Sequence, residues 1–106
     1  MPYIVPQKVA WDPSKATDLA SYNLYWAVPP VTLNKANPAS NPNATNVGKV
    51  TEVTLPAAVA GFPLIDGNVE VGVAAVDTIG NSSDIASTVL PFGFQPPDPP
   101  GAPHLI

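Results

Sequence analysis

Proline is the sequence feature that most constrains the fold of this chain. Fifteen of its 106 residues are proline, and they are spread along its whole length; the usual share is roughly 5%. A proline inside an α-helix removes a backbone hydrogen bond and clashes with the preceding turn. The prolines therefore oppose long helices and favour short strands joined by loops.

Between the prolines, apolar and polar residues alternate with a period of two, which is typical of strands with one buried face. The alternation predicts strands at 8–11, 19–28, 49–55, 69–77 and 85–92, with a brief edge strand at 31–33. No segment keeps a helical period over three turns, and 57–63 has room for one helical turn at most. Short strands in a chain of one-domain length predict an all-β sandwich or barrel.

The same alternation predicts the core. The side chains expected on buried faces are Trp11, Tyr22, Leu24, Trp26, Val69, Val71, Val73 and Ala75. Asn23 and Tyr25 fall on the opposite face of their strand. Tyr25 is therefore a candidate exposed aromatic contact. A sugar-stacking platform formed with Trp26 is the alternative, although alternation buries one of the two rings.

Three segments are predicted to lie outside the strands. Residues 34–46 hold five asparagines and two prolines, so we expect a solvated loop that is mobile and dispensable. Residues 66–68 form a turn, and 78–83 form a hairpin connection in which glycine and asparagine can take a positive φ. The sandwich is expected to span 1–93, followed by a proline-rich tail or linker at 94–106 that favours an extended polyproline conformation.

Charge and composition exclude several function classes. The net charge is −4, with four lysines and no arginine, so the chain lacks the basic surface that phosphate binding requires. Nucleic acid and polybasic membrane binding are therefore not expected. The absence of cysteine excludes disulfides and thiolate metal sites. Residues 1–6 do not resemble a signal peptide, and no apolar stretch is long enough to span a membrane.

Catalytic chemistry finds few candidates in this sequence. The single histidine, His104, lies in the proline-rich tail, where we interpret it as a solvated side chain. No nucleophile elbow, phosphate-binding loop or dinucleotide-binding motif occurs. We therefore predict no catalytic, cofactor-binding or metal-binding residue, and no enzyme activity. Asp77 and Asp84 flank the 78–83 turn, where they could share a calcium ion or simply form the turn, and we favour the turn.

Two short motifs match the glycosylation sequon, at 43–45 and 81–83. Matches of this length arise by chance, and we interpret both in that way.

The order of these segments resembles a fibronectin type III domain. Trp11, followed by Asp12 and Pro13, is similar to the tryptophan of strand B in that family. Residues 22–26 resemble strand C, 71–77 resemble strand F, and 80–92 resemble the F–G turn and strand G of bacterial members. The resemblance covers residues 8–92 and implies a two-sheet antiparallel immunoglobulin-like sandwich.

Two departures from the family pattern concern the edges of this sandwich. Val69 stands where the family usually has the tyrosine of the tyrosine corner. The connection from Leu55 to Val69 is also long, and we expect Phe62 and Leu64 to pack beneath it. Few residues precede Trp11, so strand A is short and one sheet edge is expected to be open.

The resemblance implies a non-catalytic structural, adhesive or spacer module. Such a module would bind a protein or carbohydrate partner on an extracellular, cell-surface or virion assembly, without inserting into a membrane and without a cofactor. An accessory domain of a secreted carbohydrate-active enzyme and a homomeric structural subunit are the alternatives.

The tail at 94–106 bears on the choice between these functions. A simple linker predicts a monomer, whereas a structural subunit predicts weak self-association through the tail.

Overall fold

The computed structural model describes residues 6–63, 67–93, 102, 103 and 105. These residues form six strands and one short 3-10 helix: β1 (Gln7–Ala10), β2 (Leu19–Ala27), the 3-10 turn Pro38–Ser40, β3 (Ala44–Gly48), β4 (Glu52–Leu55), β5 (Gly67–Asp77) and β6 (Ala86–Phe92). The all-β class predicted from the alternation is confirmed.

The strands form two antiparallel sheets that pack face to face. One sheet contains β1 and β4, and the other has the order β3-β2-β5-β6. Strands β2 and β5 are the centre of the larger sheet, with Leu24 opposite Val73 and Trp26 opposite Val71. This arrangement is a two-sheet immunoglobulin-like sandwich, as the sequence predicts.

The core lies between the two sheets. Leu24, Leu55 and Val69 are completely buried, and burial of each such side chain contributes roughly 1.5–3 kcal/mol. The cluster around them contains Trp26, Val53, Val59, Phe62, Val71 and Phe92. Tyr22, which faces the same way, is also buried.

The connection between β4 and β5 closes one end of this core. The centroid of the Phe62 ring lies 5.8 Å from that of the Trp26 ring and 5.2 Å from that of the Phe92 ring. Val59 is buried beside it, and Gly61 has a φ of +81°, which turns the chain between them and favours glycine. The expected role of Phe62 is therefore confirmed, whereas Leu64 lies outside the described residues.

The region between β2 and β4 differs from the prediction. Residues 44–46, expected in a loop, belong to β3, which pairs with β2 so that Thr45 lies opposite Leu24. Strand β3 has one large apolar residue, Val47, so it shows no apolar alternation. Residues 49–51 precede β4 instead of belonging to it, and 31–33 form no strand. Gly67 and Asn68, expected in a turn, begin β5.

The loop at 34–41 is organised around Asn41. Its side-chain oxygen accepts the backbone N–H of Asn34 at 2.8 Å, and its amide donates to the carbonyls of Asn34 and Pro38. The asparagines of this segment therefore act as local backbone partners, as asparagine does in turns. Mobility and dispensability of the segment stay predictions.

Candidate binding cleft

The two-stranded sheet does not cover the whole inner face of the four-stranded sheet. One edge of β1 pairs with β4. In the described ranges no strand pairs with the other edge of β1. Val73 and Ala75, predicted to be buried, are therefore only partly buried, whereas Val69 and Val71 are buried as expected. The narrow opposing sheet explains this difference, since the side-chain directions follow the predicted alternation.

A cleft runs along this uncovered strip, between β1 and β6. It consists of two adjoining hollows of about 180 Å³ each, which share Trp11, Val73 and Ala86. We name it the β1–β6 cleft, and its main lining residues are Val9, Trp11, Val71, Val73, Ala86 and Thr88. Pairing of β6 with β5 places Ala86 opposite Val73 and Thr88 opposite Val71, so both face the core side.

Trp11 forms the floor of the cleft on the β1 side. Its ring packs edge-on against Tyr22, with centroids 5.6 Å apart and an angle of 67°. The Tyr22 hydroxyl accepts the backbone N–H of Ser14 at 2.9 Å, which positions the ring. Trp11 packs against the core as predicted, but it is only partly buried. Trp11 directly follows β1, and no strand of the described residues pairs with the edge of β1 that faces away from β4.

The indole nitrogen of Trp11 is the polar atom that this arrangement leaves unsatisfied. Nε1 is buried and has no hydrogen-bond partner among the described residues. A buried N–H without an acceptor costs roughly 1–3 kcal/mol, so an incoming carbonyl would be favoured here.

The two ends of the cleft differ. At one end the Gln7 side-chain amide donates to the carbonyl of Pro91, which ties the start of β1 to the end of β6. At the other end the lining becomes polar, with Ser14, Ser83 and Asp84 around the hollow. The cleft is therefore closed near Gln7 and open toward the turn after β5.

The outer face of the four-stranded sheet carries a second apolar cluster instead of an exposed contact. Tyr25 is only 4% exposed and packs in a cluster with Ala27, Leu33, Ala74 and Ile85. The prediction that Tyr25 is an exposed aromatic contact is therefore wrong, because Leu33 and Ile85 belong to connections that cover this face. The alternation within β2 gives no signal of this cover.

A buried acidic side chain organises the edge of that cluster. Glu70 is 8% exposed. One of its carboxylate oxygens accepts the backbone N–H of Leu33 at 2.8 Å, and the other accepts the hydroxyl of Ser87 at 2.9 Å. The alternation of β5 puts Glu70 on the face opposite Val69 and Val71 but gives no signal of this structural role.

The turn after β5 uses Asp77 as an internal cap. The Asp77 carboxylate accepts the backbone N–H groups of Asn81 at 2.8 Å and Ile79 at 3.0 Å. The Asn81 bond is the main reason why the pKa of Asp77 lies below the usual range of an aspartate, and the Ile79 bond acts in the same direction. Gly80 takes a φ of +93° in this turn.

The described residues bring few titratable side chains together that could bind a metal ion or catalyse a reaction. In the part of the chain that the structure describes, no three His, Cys, Asp or Glu side chains lie together as a set of metal ligands. His104 lies outside the described residues, so its predicted place in a solvated tail stays a prediction. Asp84 lines the open end of the cleft.

The fold and the cleft together define an immunoglobulin-like β-sandwich whose inner face is uncovered along one edge. No protein-family model matches the sequence, and comparisons with curated proteins and with solved structures find no significant match. No helix of the described residues has the length and hydropathy of a membrane span.

Proposed function

We propose that this chain is a non-catalytic structural or adhesive module of the fibronectin type III kind, which acts as a binding or spacer domain on an extracellular, cell-surface or virion assembly. The strand order is the observation that carries the proposal. The resemblance assigns β1, β2, β5 and β6 to strands B, C, F and G. In immunoglobulin-like sandwiches C, F and G share one sheet and B lies in the other. The order β3-β2-β5-β6 with a separate β1–β4 sheet agrees with this assignment.

The distribution of buried groups supports a role as a rigid scaffold. Both faces of the four-stranded sheet carry a buried cluster, one around Leu24 and one around Tyr25. Because both faces of this sheet are packed, its loops and strand edges are the elements that a partner can reach. Such elements carry the function of many rigid sandwich domains. The β1–β6 cleft is an edge of this kind.

Two measurements test the proposal. Antibodies against residues 1–93 should label intact source cells or purified particles as strongly as lysed samples. The purified chain should release no reducing ends from a panel of polysaccharides over a long incubation. Labelling that appears only after lysis would contradict surface display, and sugar release that disappears on heat denaturation would contradict a non-catalytic module.

A further inference from the structure

The β1–β6 cleft has the features of a site that receives an extended chain. The free edge of β1 presents backbone groups without a strand partner in the described residues. An open strand edge is a template for pairing with an incoming extended segment. The apolar side chains of Val9, Val71 and Val73 lie beside that edge, and the unpaired Nε1 of Trp11 offers a donor to an incoming carbonyl.

We infer that the occupant is the C-terminal tail, residues 94–106, of a second copy of this chain. The tail combines five prolines with the apolar residues Ala102, Leu105 and Ile106. Prolines favour an extended conformation of about 3.1 Å per residue, so little conformational entropy is lost when the tail binds. Leu105 is 99% exposed in the single chain, so its side chain gains burial when it enters a cleft.

The position of the tail indicates that it binds the cleft of a second copy and not the cleft of its own chain. Strand β6 ends at Phe92, beside the Pro91 carbonyl that Gln7 holds, so the last strand residues before the tail lie at the closed end of the cleft. To enter its own cleft the chain would have to reverse direction directly after β6, and the prolines that follow oppose a tight reversal. A tail from a neighbouring molecule meets no such constraint.

The contact is small, because prolines lack the N–H that a strand ladder needs and only a few residues can pair. A dissociation constant on the order of 0.1–1 mM is expected for a contact well below the usual interface size. Because donor and acceptor surfaces differ, the association is head-to-tail, and it produces an open chain of molecules unless the geometry closes it into a ring or a pair. This inference holds whatever other ligand the module binds.

Complementary variants of the full chain test the inference. Leu105→Asp removes the apolar anchor of the tail and leaves the cleft intact. Ala86→Glu, at an exposed position, places a charged side chain in the cleft and leaves the tail intact. Val89→Asp is the matched control, since Val89 is 53% exposed and alternates with Thr88 on the opposite face of β6. Thr88→Glu serves as a second cleft variant if Ala86→Glu is not folded by circular dichroism.

Sedimentation equilibrium across a concentration series up to about 1 mM, the weak end of the expected range, gives the first result. The parent chain and Val89→Asp should show a mass that rises with concentration, whereas Leu105→Asp and Ala86→Glu should each remain monomeric. An equimolar mixture of the two monomeric variants should form a 1:1 complex and nothing larger. A monomeric parent chain, or a mixture that stays monomeric, would overturn the inference.

The two tryptophans provide a local readout. When unlabelled Ala86→Glu is added to ¹⁵N-labelled Leu105→Asp, the Trp11 indole N–H resonance should move, and that of the buried Trp26 should not. If the Trp11 N–H of Leu105→Asp is already protected from exchange, and deletion of residues 1–5 exposes it, the cleft is filled within one molecule and the inference is wrong. Shifts confined to β3 would also overturn it.

Discussion

The backbone N–H of Leu33 donates a 2.8 Å hydrogen bond to the Glu70 carboxylate on the outer face of the larger sheet. This bond ties the connection after β2 to the middle of the sheet. It places Leu33, which is 7% exposed, over Tyr25 and Ala74. A glutamate on the outer face of its strand is thereby an internal part of the fold.

The first prediction concerns this bond. Glu70→Leu removes the acceptor for Leu33 and Ser87 and should lower the free energy of unfolding by roughly 1–3 kcal/mol, because a buried N–H loses its partner. Glu70→Gln keeps one carbonyl oxygen for Leu33 and should cost less. Urea unfolding measures both, and amide exchange at Leu33 should accelerate only in Glu70→Leu. Equal stability of Glu70→Leu and the parent would contradict the role assigned to Glu70.

A second prediction concerns the close packing at Gly72. A β-carbon at this position would overlap Cγ2 of Ile85 and lie 3.0 Å from Cδ1 of Leu33. Gly72→Ala should therefore cost about 1–3 kcal/mol through overpacking. Gly67→Ala is the matched control in the same strand, because a β-carbon there meets no atom within 4 Å.

The overlap can be tested separately from the backbone effect of alanine. Ile85→Ala removes Cγ2, so the double variant Gly72→Ala with Ile85→Ala should lose less stability than the sum of the two single changes. Thermal or urea unfolding of the four proteins completes the cycle. Strict additivity would show that Ile85 does not restrict position 72.

The third prediction concerns pH. The backbone N–H of Asn81, and then that of Ile79, hold the pKa of Asp77 below its ordinary value. A carboxyl whose pKa is lowered by folding contributes stability above its unfolded pKa, near pH 4, and loses it as the pH falls through the folded pKa. Stability should therefore decrease on acidification below about pH 4.

Asp77→Asn provides the comparison for this pH effect. The variant keeps an oxygen acceptor for the turn but removes the titrating group, so it should show a weaker decrease over the same range. Carbon-detected NMR titration of Asp77 measures its pKa directly. A value at or above that of an unfolded aspartate would refute this prediction.

The fourth prediction concerns Trp11. Trp11→Ala should cost about 2–3 kcal/mol, below the 3–5 kcal/mol typical of a fully buried aromatic side chain, since the ring is only partly buried. Trp11→Phe keeps the edge-on packing against Tyr22 and removes the unpaired N–H, so its stability should be close to that of the parent. Chemical denaturation at low protein concentration measures both, and Leu55→Ala, at a fully buried position, should be more destabilising than Trp11→Phe.

The central strands could be predicted from the sequence because their signal is local. Alternation in 69–77 and 22–26 places Leu24, Trp26 and Val71 toward the core, and the structure buries all three. Turn residues such as Gly80 predict the hairpin between β5 and β6 because the required positive φ is a property of single residues. Strand β3 escaped prediction, since three of its five residues, Ala44, Thr45 and Asn46, carry little apolar signal.

The candidate site was predicted only in outline. The short segment before Trp11 leads to the expectation of a short strand A and an open edge. Among the described residues β1 has no second strand partner, but residues 1–5, where strand A is expected, lie outside them, so the open edge stays a prediction. The lining of the cleft by Ala86 and Thr88 was not foreseen, because it depends on how far the β1–β4 sheet extends over the other. That width is set by contacts between residues distant in sequence.

The sequence by itself therefore determined the all-β class, the main strands and the faces of those strands, since each depends on the two-residue period of a strand and on the local conformations of proline and glycine. The tertiary structure decided which of those faces are covered. Tyr25 is buried because Leu33 and Ile85 cross the outer face, and Val73 is partly open because no strand of the described residues extends the β1–β4 sheet beyond β1. Burial depends on how the whole chain packs, and the alternation within one strand does not show which other segments cover it.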